Sequence, residues 1–443
     1  MRSSILIMTI FLLLTACKKE LDIENITDSN YIKTHEIQVT NDDQLTLNGE
    51  VISGDVTEWG FVLNTIGLSP FVGSDEKISV NTSTAPNFHN GPFTGKLDAT
   101  YPDVTYAIRA YGIIKGQVYY GKTVRYTTPA RGSWKRMNNF PGPPRKFAVS
   151  FAVNGKGYMG CGYNSSGNLK DFWEYDPSTD KWTQLANYPG PIMNSGFSFV
   201  IGNKAYVGGG AIQTPPYNNG LAFSEFYEFD PVTKIWTRLA DIPYAWPYIA
   251  PGIYGAFAFS VGGFGFMGGG SITWQQRNAY IFKYDPRANH WEEYSLLPKN
   301  FRNDVIFFYY GASFVVDDVA YVGTGFTESN FDGKNNTFYS WNYQTKEWKY
   351  IIELPGPKVA FGIGTTNSGV GYMGTGEQSN DLYQFKPSLT GSPWKQVSHN
   401  SDHYGCIGGI SFTIGNKTYI GLGDAVLPNM HEANRIYEFT HTR

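Results

Sequence analysis

The chain has 443 residues, of which 41% are hydrophobic and 16% aromatic, with 50 glycines and 24 prolines. That length allows more than one domain with a sizeable core, and the lack of long helical periodicity points to an all-β protein of many short strands. Thirty-five basic residues against 38 acidic ones leave a formal charge of −3, with no basic excess to favour a nucleic-acid partner and no charged tail.

The chain opens on MRSSILIMTIFLLLTACKKE, a basic start followed by an apolar run over residues 5–14 and small residues before Cys17. About ten apolar residues are too few to span a bilayer, which takes about 20, so this stretch reads as a secretory signal. LTAC at residues 14–17 resembles the lipobox of bacterial lipoproteins. The resemblance implies cleavage after residue 16 and lipidation of Cys17, with more than one acyl chain giving stable anchorage. Lys18 stands where an Asp would retain such a protein at the inner membrane, so the outer membrane is expected, with display at the cell surface. Residues 17–34 are polar and mixed in charge, as in a lipidated tether.

From residue 35 to 129 the pattern becomes alternating strands, such as QLTLNGEVIS (44–53), TEWGFVLNT (57–65) and VTYAIRAYGIIKGQVYYG (104–121). LDATYPDVTYAIRAYG (97–112) resembles the tyrosine-corner region of fibronectin type III domains, with Tyr106 at the corner and YYGKTVRYTTP (119–129) as the closing strand. The resemblance implies a small fibronectin- or immunoglobulin-like sandwich in which the Tyr106 hydroxyl bonds to backbone upstream.

After residue 133 the chain repeats. DFWEYDPSTDKW (171–182) returns as EFYEFDPVTKIW (225–236), YIFKYDPRANHW (280–291), TFYSWNYQTKEW (337–348), DLYQFKPSLTGSPW (381–394) and a shortened RIYEFTHTR (435–443). Each copy reads as a half-buried strand, a tight turn and the start of a second strand. Before each lies a glycine-rich strand end: YMGCG from Tyr158, YVGGG from Tyr206, FMGGG from Phe266, YVGTG from Tyr321, YMGTG from Tyr372 and YIGLG from Tyr419. Only the second and third copies keep three glycines in a row, so slightly looser packing is expected in the others. Tryptophans recur about every 46 to 57 residues, from Trp134 to Trp394, a period that belongs to propeller arrays. This pattern resembles the kelch repeat and implies a six-bladed kelch β-propeller over residues 134–443. The array begins with a lone Trp134 strand and ends on a hairpin with no tryptophan. Trp134 is therefore expected to pair beside residues 436–440 and close the circle.

In a propeller, the loops between blades and those after the glycine clusters gather on one face, where a site is expected. Candidate binding residues on these loops are Arg145, Trp246, Tyr248, Tyr254, Trp274, Gln276, Arg277, Arg302, Asn303, Lys358, His403, Tyr404 and His431. Arg145 matches the arginine of the Pro-Arg step in kelch repeats that often faces a ligand. Flat rings among planar polar groups suit either a glycan or a protein partner. The expectation is a non-enzymatic, monomeric propeller that needs no cofactor. The alternative is a sugar mutarotase or epimerase of the sialic-acid type; the resemblance to that group implies acid/base work by Glu377 and anion binding by Arg145. Galactose oxidases share the repeat, and the nearest counterparts of their copper ligands would be His403, His431, Tyr254 and Cys406, but no spacing ties these together. No metal-ligand cluster, phosphate-binding loop or nucleophile elbow is present in the sequence. Cys161 and Cys406 read as small buried residues.

Overall fold

The computed structural model describes residues 28–441, except 42–43, 66–68, 81–87, 99, 215–216, 244–251, 274–275, 301, 327–332, 377–378, 388–392, 400–405 and 426–433. Every described element is a strand, and the chain divides into two units, before and after Pro129. Cys17 lies outside the described residues.

The first unit contains two antiparallel sheets. One holds Ile32–Thr34, Gln38–Asn41 and Gly91–Leu97, all paired to Gln44–Val51; the other holds Glu76–Ser79, Val56–Asn64, Thr105–Ile114, Gln117–Tyr120 and Val124–Thr127. Along Gln44–Val51 every second residue is buried, so one face of the strand supplies Leu45, Leu47 and Val51 to a core shared with Phe61, Phe93, Ile108 and Ala110. Burial of each such large apolar side chain contributes about 1.5–3 kcal/mol. The Tyr106 hydroxyl accepts a bond from the Tyr101 backbone N–H at 2.8 Å, as the tyrosine-corner reading expects.

The tether expected to run to residue 34 is shorter than that. Ile32–Thr34 is a strand of the first sheet, and the Asp28 carboxylate accepts bonds from the backbone of Thr34 at 2.8 Å and of Lys122 at 2.9 Å. Thr34 is buried, with its hydroxyl accepting the Ala110 N–H at 3.0 Å. A three-residue strand with a polar residue facing inward carries too little periodicity to be told from a linker.

In the second unit, among the described residues, six antiparallel sheets of four or five strands follow one another along the chain, with three two-stranded ribbons in the loops between strands. Their first strands are Val149–Val153, Asn194–Ile201, Phe257–Val261, Ala312–Val316, Ile363–Asn367 and Ile410–Ile414, and each lies beside the next, with the last beside the first. Hydroxyls stitch several of these neighbours together: Ser150 Oγ donates to Ser411 O at 3.0 Å, Ser198 Oγ to Ser150 O at 2.8 Å and Ser313 Oγ to Ala258 O at 3.1 Å.

The repeated hairpins fill the space between sheets. Phe172 packs edge-on against Trp236 at 5.0 Å, Phe226 against Trp291 at 4.9 Å, Phe266 against Trp341 at 5.1 Å and Phe338 against Trp394 at 4.8 Å. In the first copy, Tyr175 lies 5.3 Å from Tyr419 of the last sheet and Trp182 lies 6.4 Å from Phe412. The glutamate after the aromatic pair has a purpose too: Tyr158 donates to Glu174, Tyr206 to Glu228 and Tyr419 to Glu438, at 2.8, 2.9 and 2.8 Å.

The circle closes as the Trp134 strand requires. Gly132–Arg136 pairs antiparallel with Ile436–His441, with Trp134 opposite Phe439 and Lys135 opposite Glu438. The first strand of the unit thus covers Ile436–His441 and forms the outer strand of the last sheet.

Candidate functional site

The glycine clusters place the loop face. In each blade the last glycine of the cluster lies against the linker that enters the first strand. A Cβ there would come within 2.7 Å of Lys146 O at Gly162, 2.8 Å of Asn194 O at Gly210, 2.7 Å of Tyr254 O at Gly270, 2.6 Å of Tyr309 O at Gly325, 2.6 Å of Ala360 O at Gly376 and 2.8 Å of Ile407 O at Gly423. Only glycine permits that approach. The middle position is left-handed even where it is not glycine, with φ of 59° at Cys161, 61° at Thr324, 39° at Thr375 and 56° at Leu422. Those substitutions, expected to loosen the packing, leave the backbone conformation unchanged.

Each pinned linker residue is followed by another left-handed residue and then by Ala or Gly. The six left-handed positions are Phe147, Ser195, Gly255, Tyr310, Phe361 and Gly408, with φ of 55°, 56°, 63°, 53°, 57° and 65°. Their backbones join one another around the axis: Phe147 N–H donates to Gly408 O at 2.7 Å, Ser195 to Phe147 at 3.0 Å, Gly255 to Ser195 at 2.9 Å and Tyr310 to Gly255 at 2.9 Å. Together with the small residues that follow them, these six line a cavity of about 170 Å³ at the mouth of the channel.

Three side chains converge across that mouth. The Phe147 and Tyr310 rings are 5.2 Å apart, and the Phe361 ring is 5.2 Å from Phe147 and 4.7 Å from Tyr310. Phe147 and Tyr310 come from the first and fourth blades, so their contact crosses the axis. Ser195 Oγ donates to Asn194 Oδ1 at 2.7 Å and therefore accepts from the Tyr310 hydroxyl at 2.8 Å. Burial pushes the Tyr310 hydroxyl up to about 12, so at neutral pH it stays protonated and can donate to Ser195.

Two polar groups flank the cluster. Lys146 pairs with Asp424 and lies 5.0 Å from the Tyr163 ring centre. On the other side the Arg277 guanidinium lies 4.1 Å over the Tyr309 ring and donates to Ser271 Oγ at 2.6 Å, and Tyr254 meets Tyr309 edge-on at 5.7 Å.

Of the residues singled out from the sequence, Tyr254 and Arg277 are thus at the rim, with Gln276 in the same short hairpin. Arg302, Asn303 and Lys358 are exposed on the loops between blades. Trp246, Tyr248, Trp274, Glu377, His403, Tyr404 and His431 lie outside the described residues, as does the Cys406 side chain. Among the described residues, no three His, Cys, Asp or Glu side chains are grouped to hold a metal ion.

Arg145 is a correction: it faces the interior of its blade rather than a ligand. It is completely buried, with Nη1 and Nη2 each 2.6 Å from an Asp171 oxygen, Nη1 also donating to Cys161 O at 3.0 Å and Nε to Pro143 O at 3.1 Å. Its physical task is to satisfy the carbonyl at the strained Cys161 and to hold the start of its own hairpin through Asp171. That occupation also removes it as the anion-binding partner of Glu377.

Sequence reading missed Phe147, Ser195, Tyr310 and Phe361. The signal was there, in the pair of any residue followed by Ala or Gly at or just before the start of each first strand: FA, SG, GA, YG, FG and GG. It is too short to stand out beside the tryptophan repeat.

Comparison with known proteins agrees with this architecture. Residues 162–187 match the Kelch motif. The chain is 24% identical over 216 residues to the Kelch-like protein terF of Aspergillus terreus, covering 46% of this chain and 45% of that one. It is 40% identical over 60 residues to the N-acetylneuraminate epimerase of Yersinia enterocolitica, covering 12% of this chain and 15% of the epimerase. The chain therefore spans less than half the length of either of these relatives. A solved structure, that of YjhT, superposes with a TM-score of 0.53 at 17% identity, covering 68% of this chain and 96% of that one. The second unit, residues 130–443, is a β-propeller of the kelch-repeat fold.

Proposed function

We propose that this protein is a lipid-anchored binding protein of the outer membrane that engages a glycan or a protein through the loop face around its channel. The reading rests above all on the convergence of Phe147, Tyr310 and Phe361, with the Ser195 hydroxyl beside them, in one concave mouth built by different blades. Aromatic anchors in a concave setting carry most of the energy at binding surfaces. The kelch motif supports a binding propeller, and the signal-like start with LTAC supports placement at the membrane. The fibronectin-like reading of the first unit makes it a spacer.

The test is a glycan array and a cross-linking capture of surface partners, run with the wild type and with the Phe147→Ala, Phe361→Ala double variant. Loss of two anchors is expected to weaken binding about 10- to 100-fold, corresponding to about 1.4–2.8 kcal/mol. Undiminished binding by a folded double variant would exclude the mouth.

A second reading, a sialic-acid mutarotase or epimerase, is favoured by the local similarity to N-acetylneuraminate epimerase. With Arg145 committed to Asp171, Arg277 at the rim becomes its cation, and Glu377 remains its acid/base. NMR exchange spectroscopy on N-acetylneuraminate decides it: faster anomer exchange that is abolished by Glu377→Gln establishes the enzyme, and an unchanged rate removes it.

A further inference from the structure

We propose that the channel mouth is a site for a single uncharged pyranose ring; this rests on the binding reading above. The three blades that present aromatic side chains at the left-handed position are the first, fourth and fifth, and the other three present serine or glycine there. The small positions are part of the arrangement. A Cβ on Gly408 would stand 2.6 Å from the Phe147 ring, and one on Gly255 would stand 2.7 Å from the Tyr309 ring and 3.3 Å from that of Tyr310. The rings of Phe147 and Tyr310 thus lean over glycines of the preceding blades. The sixfold frame becomes a lopsided floor, aromatic on one side and open on the other.

The chemistry of that floor selects its ligand. The C–H face of a pyranose stacks on aromatic rings, and its hydroxyls match the Ser195–Tyr310 hydroxyl pair, in which Tyr310 stays protonated at neutral pH. Among the described residues the lining carries no charged side chain. Lys146, which precedes Phe147 in the chain, is already paired with Asp424. A carboxylated sugar brought onto such a surface would lose hydration without gaining a counter-charge, whereas a neutral one would not. The cavity of about 170 Å³ is smaller than the roughly 300–1,000 Å³ of drug-sized pockets, so it seats one ring and leaves any further sugar units outside.

The experiment is saturation-transfer-difference NMR on the full-length protein in detergent, with methyl glycosides of glucose, galactose, mannose and N-acetylglucosamine against N-acetylneuraminate. At least one neutral glycoside is expected to bind at least tenfold more tightly than N-acetylneuraminate, with the strongest transfer to ring C–H protons. Phe361→Ala is expected to weaken it at least tenfold. Gly408→Ala, which displaces Phe147 without altering any aromatic residue, is expected to do the same, and Ser195→Ala serves as a milder third variant should either fail to fold by circular dichroism. Equal or tighter binding of N-acetylneuraminate, or no binding of any neutral glycoside, overturns the inference. In the second case, capture of a protein partner that still depends on Phe147 and Phe361 leaves the binding reading intact. Neutral-sugar binding indifferent to all three variants overturns both.

Discussion

Bulky side chains rarely adopt φ near +55°, yet Phe147, Tyr310 and Phe361 all do, at a cost of order 1–3 kcal/mol each. The same left-handed backbone recurs at this position in all six blades, so the choice of an aromatic at three positions is a choice of side chain at fixed strain. Arg145 makes the opposite case, a residue of functional appearance with a structural task. Burial by itself would raise the Asp171 pKa, but the bonds from Arg145 and Trp173 outweigh it and hold the carboxyl below its ordinary 3.8. A depressed folded-state value means that its stabilisation is complete above the unfolded value of about 4 and is lost as pH falls through the folded value. Asp171→Asn is expected to cost about 3 kcal/mol at pH 7, since it leaves a fully buried guanidinium without a counter-charge. In urea titrations the variant should also lose less stability than the wild type between about pH 4 and pH 2. Identical pH profiles would show that the pair does not set the acid limit.

At the scale of elements, the strand Gly132–Arg136 is the clasp of the propeller. It is bonded along its length to Ile436–His441, and Trp134 packs on Phe439 at 4.9 Å while donating its indole N–H to Ser398 at 2.5 Å. Deleting residues 130–136 from the propeller unit is expected to expose the edge of the last sheet and to shift the protein toward dimers and aggregates in light scattering. The same fragment with residues 130–136 retained should stay monomeric, and a monomeric deletion variant with an unchanged melting temperature would deny the clasp its role. The closing strand was legible in the sequence because one tryptophan strand was left over at the start and one was missing at the end. The short strand Ile32–Thr34 was not legible, since its burial depends on its pairing with residues 49–51 and on Ala110, remote in sequence.

On the scale of the whole molecule, the chain combines a signal-like start, a two-sheet unit and a propeller unit, each of the last two with its own core. If Cys17 carries lipid, two or more acyl chains make the attachment stable over the life of the protein, because each buried methylene contributes about 0.8 kcal/mol. On the proposed anchoring, Cys17→Ala is expected to abolish labelling by an alkyne-bearing fatty acid and to lower the share of the protein recovered with membranes. Undiminished fatty-acid labelling of the variant would show that attachment does not depend on this cysteine.

Sequence by itself determined the frame: strands by alternation, blades by the tryptophan and glycine repeats, and closure by the unpaired Trp134. Those signals are local or periodic, and sixfold repetition amplifies each of them. What only the tertiary structure decided was which side chains face the axis. Arg145 turns inward because Asp171, 26 residues on, meets it there. Phe147 and Tyr310 meet because the fold brings the first and fourth blades together across the channel, a proximity carried by the circular arrangement of the chain and by no stretch within it.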